Sequence, residues 1–175
     1  MTDDAGRPSR AAANGLRIEA ATERDVPVIL ELINGIAEYE RLSHEVVATE
    51  DSLRESLFGA RPGAEVAIGY AGSEAVGFAV YFHNYSTFLG RAGLYLEDLF
   101  VKPQWRRRGF GRQLLAHVAW VAVERGCGRL EWAVLDWNEP AIRFYKNLGA
   151  RPMDEWTVYR MTGEALERLA RDTIP

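Results

Sequence analysis

The chain has 175 residues, a formal charge of −4 at pH 7 and one cysteine. Its length suits one ordinary domain, and 47% hydrophobic with 26% charged residues describes a soluble globular chain rather than a disordered or fibrous one. The charge excludes a global positive field that would gather nucleic acid, and a lone Cys127 between Gly126 and Gly128 excludes an intramolecular disulfide or a cysteine metal cluster. No apolar run approaches the roughly 20 residues that span a bilayer, and Met1 to Ala13 lack a signal-peptide core, so the expected compartment is the cytoplasm and no membrane or nucleic-acid partner is expected.

Residues 1–15 mix Asp, Arg, Ser, Pro and Ala without period and read as a flexible leader; a single domain is expected over 16–175. A short strand at Arg17 to Glu19 precedes a helix that Thr22 can cap, with Val26, Ile29, Leu30, Ile33 and Ala37 on one face, running to about Glu40. Thr49 caps a second helix carrying Leu53, Leu57 and Phe58 before Gly59 and the Pro62-Gly63 turn. The period then switches to two: Val66, Ile68 and Tyr70, a turn through Gly72, and Val76, Phe78, Val80 and Phe82 predict an antiparallel hairpin. Leu94 to Val101 is a further strand and Gly109 to Glu124 a helix ended by Gly126. Leu130, Trp132 and Val134 alternate in a strand; Asn138 and Pro140 then open a short helix closed by Gly149. A last strand is expected over Trp156 to Met161 and a terminal helix over Thr162 to Arg171. The class is α/β with a mixed sheet.

The most informative stretch is Arg106-Arg107-Arg108-Gly109-Phe110-Gly111-Arg112, where a strand gives way to a helix. Glycines let backbone approach a ligand closely, and the free amides of a helix start point at it. Guanidinium groups add paired hydrogen bonds to phosphate oxygens. Arginines at a helix N-terminus oppose the preference for acids there, so a bound anion such as a pyrophosphate explains them better than a solvated charge run does. The full G-x-G-x-x-G dinucleotide pattern is absent.

Arg106-x-x-Gly109-x-Gly111 resembles the acetyl-CoA signature of the GNAT acetyltransferases. With Tyr95 to Val101 before it and Trp137-Asn138-Glu139-Pro140-Ala141-Ile142-Arg143-Phe144-Tyr145-Lys146 after it, the chain resembles the diamine (spermidine/spermine) acetyltransferases. Tyr85-Ser86-Thr87 and Ala133 to Asn138 look most like the branch that acetylates thialysine, a lysine analogue. The resemblance implies a mostly antiparallel, twisted sheet flanked by helices with a splayed central strand pair, a homodimer, and transfer of an acetyl group from acetyl-CoA to a primary amine by direct attack in a ternary complex.

Residue by residue, it implies that the backbone of Leu99, Phe100 and Val101 bonds the pantetheine arm. Arg106, Arg107, Arg108, Gly109, Phe110, Gly111 and Arg112 would hold the pyrophosphate, and Asn138 would reach the cofactor from the next strand end. Tyr145 corresponds to the general acid toward the departing CoA thiolate, a role for which a phenol of pKa about 10 is suited. The attacking amine must shed a proton held with a pKa near 10.4. An acid in the site therefore both binds the cation and deprotonates it. Glu97 and Asp98, neighbours on a strand, are expected to face opposite ways, and the resemblance favours Glu97. It adds Tyr39, Glu40, Glu131, Trp132 and Ala133 to the substrate cleft, with Asp154 or Glu155 as a further acid.

The sequence departs from the family pattern in two places. Ser86 to Gly93 is one residue longer, with Ser86 where polyamine-acetylating members carry an acid, and the segment from Gly149 to Trp156 is shorter. Two alternatives stand beside the small-molecule enzyme: acetylation of protein N-termini or lysines on the same scaffold, and a non-catalytic acyl-CoA sensor. His44, His83 and His117 lack the spacing for a metal site, so no metal is expected.

Overall fold

A computed structural model describes residues 10–11 and 15–172. The chain divides into two compact units, one through Ala133 and one from Val134. Most of the expected leader lies outside the described residues.

The first unit is a six-stranded sheet with strands in sequence order. They are β1 (Arg10–Ala11), β2 (Leu16–Ala20), β3 (Glu65–Ala71), β4 (Glu74–Ser86), β5 (Arg91–Val101) and β6 (Leu130–Trp132). All neighbours are antiparallel except β5 and β6, which run parallel over Leu94–Leu96 and Leu130–Trp132. The predicted hairpin is β3–β4, turning where Gly72 adopts a φ of 63°. Helices α1 (Val26–Glu40) and α2 (Glu50–Phe58) cover one face: Val26, Ile29, Leu32 and Leu53 pack with Val66, Ile68, Phe78 and Phe100 of the sheet. Each such side chain fully withdrawn from water stabilises the fold by about 1.5–3 kcal/mol. Helix α3 (Phe110–Glu124) covers the other face with Leu114, Leu115 and Val118 buried. Thr49 caps α2 as expected, accepting a hydrogen bond from Ser52 N.

The strand expected through Val134 ends at Trp132. Consequently, among the described residues, Glu97 to Val101 of β5 have no strand on that side, and the parallel pair opens where one member stops.

The second unit holds α4 (Glu139–Asn147) and α5 (Gly163–Arg171). Asn138 caps α4, its Oδ1 accepting from Ala141 N at 3.4 Å, and Gly149 follows the helix at a φ of 88°. The strand expected over Trp156 to Met161 is corrected: those residues are irregular. Their alternation supplies the side-chain period of a strand, but a strand exists only where a neighbour takes its main-chain hydrogen bonds, and every residue from Arg151 to Asp172 is exposed.

Candidate functional site

The opened end of β5 is the centre of the site. Lys102 N donates to Val76 O, which fixes the phase of the antiparallel ladder between β4 and β5. Because that ladder bonds alternate residues, Phe100 turns its main chain toward Phe78, whereas Leu99 and Val101 turn theirs to the side where β6 has ended. Of the three residues expected to bond an extended ligand through their backbone, two present free groups. Even there the Val101 carbonyl is already used, accepting from Arg106 Nε at 2.9 Å.

Beyond Val101 a short 3-10 turn, Pro103–Trp105, leads into the arginine-rich loop. Arg107 adopts a φ of 62° and Gly109 one of 80°, two left-handed residues that bend the chain sharply into α3. That conformation is uncommon for arginine and marks stored strain of the kind concentrated at functional loops. Helix α3 begins with no acidic residue in its first turn and no side-chain cap, so its leading amides are open to an anion. The arginines divide by role. Arg106 lies 4.3 Å above the Tyr39 ring and 5.7 Å from that of Phe100, tying the end of α1 to the end of β5. Arg108 stacks on Trp105 at 4.6 Å, and Trp105 stacks in turn on Phe110 and donates to Glu74 at 2.9 Å. Arg107 and Arg112 are exposed at the helix start and have no partner among the described residues.

The acids lie on the α1 face. Asp98 shares that face with Phe100. Between Val80 and Tyr81 the partner on β5 jumps from Asp98 to Leu96, leaving Glu97 as the extra residue of a β-bulge. The expectation that Glu97 and Asp98 face opposite ways assumes strict alternation, which fails at a bulge; Asp98 stands opposite Val80. Burial, then the charges of Glu97 and Glu40, push the Asp98 carboxyl up to about 6. Burial also raises Glu40. Among the described residues no cation pairs with Glu40, Glu97 or Asp98. A cation arriving beside Asp98 and Glu40 would favour their ionised forms, which burial opposes. Further along the same face, Tyr95 packs its ring 5.2 Å from Phe82 and sits beside Glu131 in the ladder. Glu131 is engaged, accepting from Asn84 Nδ2 at 2.8 Å and pairing with Arg129 at 2.7 Å. Trp132 is half-buried opposite Leu96 and Ala133 is exposed.

In the second unit, Tyr145 is half-buried on α4 with its ring 5.3 Å from that of Phe144, and Asn138 is buried as the helix cap. Asp154 and Glu155 are exposed in a turn. Among the described residues no group of three or more His, Cys, Asp or Glu could hold a metal ion, and no helix is long and apolar enough to cross a membrane.

This arrangement has known counterparts. Residues 29–150 match the acetyltransferase (GNAT) family. The chain belongs to the GNAT acetyltransferases. It is 42% identical over 165 residues to a thialysine N-epsilon-acetyltransferase of Mus musculus, covering 88% of this chain and 96% of that protein. It is 36% identical over 203 residues to an L-ornithine N5-acetyltransferase of Arabidopsis thaliana, covering 90% and 89%. Among solved structures, an integron cassette protein from the mobile metagenome of V. cholerae superposes with a TM-score of 0.75 at 27% identity, over 90% of this chain and 98% of that one. The expected family, its mixed α/β fold and acetyltransferase activity toward amines are thereby shown. GNAT acetyltransferases use acetyl-CoA as co-substrate.

Sequence reasoning missed the pairing of Asp98 with Glu97 and the use of Arg106 as a brace, since both depend on contacts between distant segments. Asp98 gives this GNAT enzyme a distinctive pH response. Burial and the neighbouring carboxylates push its folded carboxyl up to about 6 from an ordinary 3.8, so the folded chain is expected to hold more protons than the unfolded one between those values. Stability contributed here falls as pH rises through that window and is level above it. Asp98→Asn is expected to remove the slope and to be more stable than the parent at pH 7 by on the order of 2–3 kcal/mol, with the difference vanishing near pH 4. Urea unfolding at the two pH values measures it; an unchanged difference would show that Asp98 ionises freely in the fold.

Proposed function

We propose that this chain is a cytoplasmic, homodimeric N-acetyltransferase that uses acetyl-CoA to acetylate the primary amine of a small cation, a thialysine- or lysine-like amino acid or a diamine. The observation that carries the reading is the trio Glu40, Glu97 and Asp98, without a described cation of its own, on the strand whose far end is open and runs into the arginine and glycine loop. An acidic cluster selects ammonium groups, and a free strand edge accepts an extended amide-bearing ligand through main-chain bonds.

In this reading Leu99 and Val101 bind the pantetheine amides, and the helix-start amides with Arg107 and Arg112 hold the pyrophosphate. Asn138 gives a further cofactor contact. Glu97 takes the proton of the bound ammonium, directly or through water, so that the nitrogen lone pair can attack the thioester carbonyl. As the carbon–sulfur bond breaks, the Tyr145 hydroxyl protonates the departing sulfur, and the second proton shed by the nitrogen as the amide forms returns to the phenolate through water. Tyr39, braced by Arg106, together with Glu131, Trp132, Ala133 and Glu155, shapes the amine pocket. The names of the mouse and Arabidopsis relatives favour basic amino acids among the candidate amines.

CoA release measured across thialysine, lysine, ornithine, putrescine, spermidine and a peptide tests the assignment. Fastest turnover is expected on the free basic amino acids. Turnover of the peptide alone would establish a protein acetyltransferase instead, and acetyl-CoA binding without turnover of any amine would establish a sensor.

A further inference from the structure

On the face of the sheet that carries Asp98, a second charged group stands further along. Val80, Phe82 and Asn84 alternate onto that face of β4, with Asp98 opposite Val80 and Gly93 opposite Asn84. Asn84 Nδ2 reaches across β5 to donate to Glu131 Oε2 at 2.8 Å, and Arg129 Nε meets the same oxygen at 2.7 Å. Glycine at position 93 lets both side chains pass: a Cβ there would collide with Asn84 Oδ1 and stand 3.1 Å from Arg129 Cγ. The Arg129 main chain is anchored too, its carbonyl accepting from Leu94 N at 3.0 Å. The arrangement is held at a cost of about 1–3 kcal/mol, since Asn84 Oδ1 is buried without a hydrogen-bond partner. Among the described residues it leaves two groups uncommitted, the Nη hydrogens of Arg129 and Oε1 of Glu131.

Spacing relates this pair to the acids. From Val80 to Asn84 the strand advances roughly 13 Å at about 3.3 Å per residue. A lysine-like amino acid holds its side-chain nitrogen roughly 7–8 Å from its carboxylate when extended, with bonds of about 1.5 Å, and a charged contact at each end adds about 2.8 Å. Such a ligand therefore covers the distance. We infer that Arg129 and Glu131 dock the α-amino-acid head of the substrate: the Arg129 Nη hydrogens bind the α-carboxylate, Glu131 Oε1 accepts from the α-ammonium, and the side-chain nitrogen reaches the acids around Asp98. This rests on the proposed function and narrows its amine to a zwitterionic basic amino acid. A guanidinium fork matches a carboxylate in two parallel hydrogen bonds, and an ion pair on the protein complements the ion pair of the head. A diamine brings a second ammonium to the same place, where Arg129 repels it and the fork stays unmatched, so the two amine classes are told apart by charge.

Lysine and lysinamide differ in the carboxylate alone, so their relative affinity reads the dock. Titrated calorimetrically with CoA present, the full chain is expected to bind lysine roughly 10- to 100-fold tighter than lysinamide, the range for a charge-assisted contact. Arg129→Gln should collapse that ratio, and the comparison of both ligands on both proteins cancels any difference intrinsic to the ligands. The variant should also bind 1,5-diaminopentane, which is lysine without its carboxylate, more tightly than the parent does, because Glu131 has lost its cation. In turnover the split should appear in KM rather than kcat. Equal weakening of lysine and lysinamide, or an unaltered ratio, would overturn the dock and reduce Arg129 to a structural contact. The preference of the parent needs no variant: a parent that binds the two ligands equally overturns the dock even where Arg129→Gln fails to fold. A parent that prefers lysine in binding yet acetylates none of the amine panel would sink the catalytic reading and leave the dock standing.

Discussion

Tyr145→Phe is expected to slow acetyl transfer by about 10²- to 10⁴-fold, the range over which a positioned general acid contributes. The substitution keeps the ring that lies against Phe144 on α4 and removes the hydroxyl alone, so folding should be nearly unaffected. If the phenol acts as charge builds on sulfur, kcat and kcat/KM fall together while acetyl-CoA affinity is unchanged. Glu97→Gln supplies the contrast. Its defect arises in capturing or deprotonating the amine, so it should shrink as pH rises toward the amine pKa of about 10.4 and more substrate arrives neutral. The tyrosine defect should not shrink in that way. Single-turnover measurement of the transfer step across pH separates the two, free of any limit set by product release. A chemical rate in the phenylalanine variant equal to that of the parent would remove Tyr145 from the mechanism.

Gly111→Val is expected to abolish the thermal stabilisation that acetyl-CoA confers. For the parent chain, ligand at 100 times Kd adds about 2.7 kcal/mol. The structure makes Gly111 the cleaner of the two loop glycines. It lies within α3 with no positive φ, and a Cβ there would meet Val101 Cγ2 at 3.8 Å, an ordinary contact. The unliganded fold therefore tolerates a side chain, and Gly111→Ala should even raise its stability, by up to about 1 kcal/mol, because alanine loses less backbone freedom in a helix. The same methyl would stand in the path of a phosphate approaching the helix amides. Opposite signs for the free fold and for ligand affinity would mark Gly111 as a ligand-approach position. Gly109→Ala differs, since its φ of 80° strains any other residue and the free fold itself should lose about 1–2 kcal/mol. Calorimetric scans with and without acetyl-CoA read both effects. Full ligand stabilisation in the Gly111 variants would place the pyrophosphate elsewhere.

Much of the molecule follows from local pattern. The switch from a period near 3.6 in Val26 to Glu40 to a period of two in Val66 to Phe82 gave α1 and the β3–β4 hairpin, because each period places apolar side chains on one side of its own backbone. Thr49, Asn138, Gly109 and Gly149 punctuate the helices for equally local reasons: a side-chain oxygen for an orphan amide, or freedom to turn left-handed. The arginine and glycine spacing located the phosphate-binding candidate in the same way.

What the sequence by itself determined about this protein was therefore the identity of its elements and the loop on which an anion would sit. Tertiary structure decided how those elements use one another. The bulge that sets Glu97 beside Asp98 exists through the register of β5 against β4, and the lift of Asp98 toward 6 needs burial and the charge of Glu40 from a helix about sixty positions earlier. Arg106 reads in sequence as one more phosphate ligand, but Tyr39 and the Val101 carbonyl draw it into a brace. Residues 156–161 have the alternation of a strand and remain irregular. The reason is the same each time: a side-chain period is a property of one segment, whereas register, burial and charge coupling belong to pairs of segments that only folding brings together.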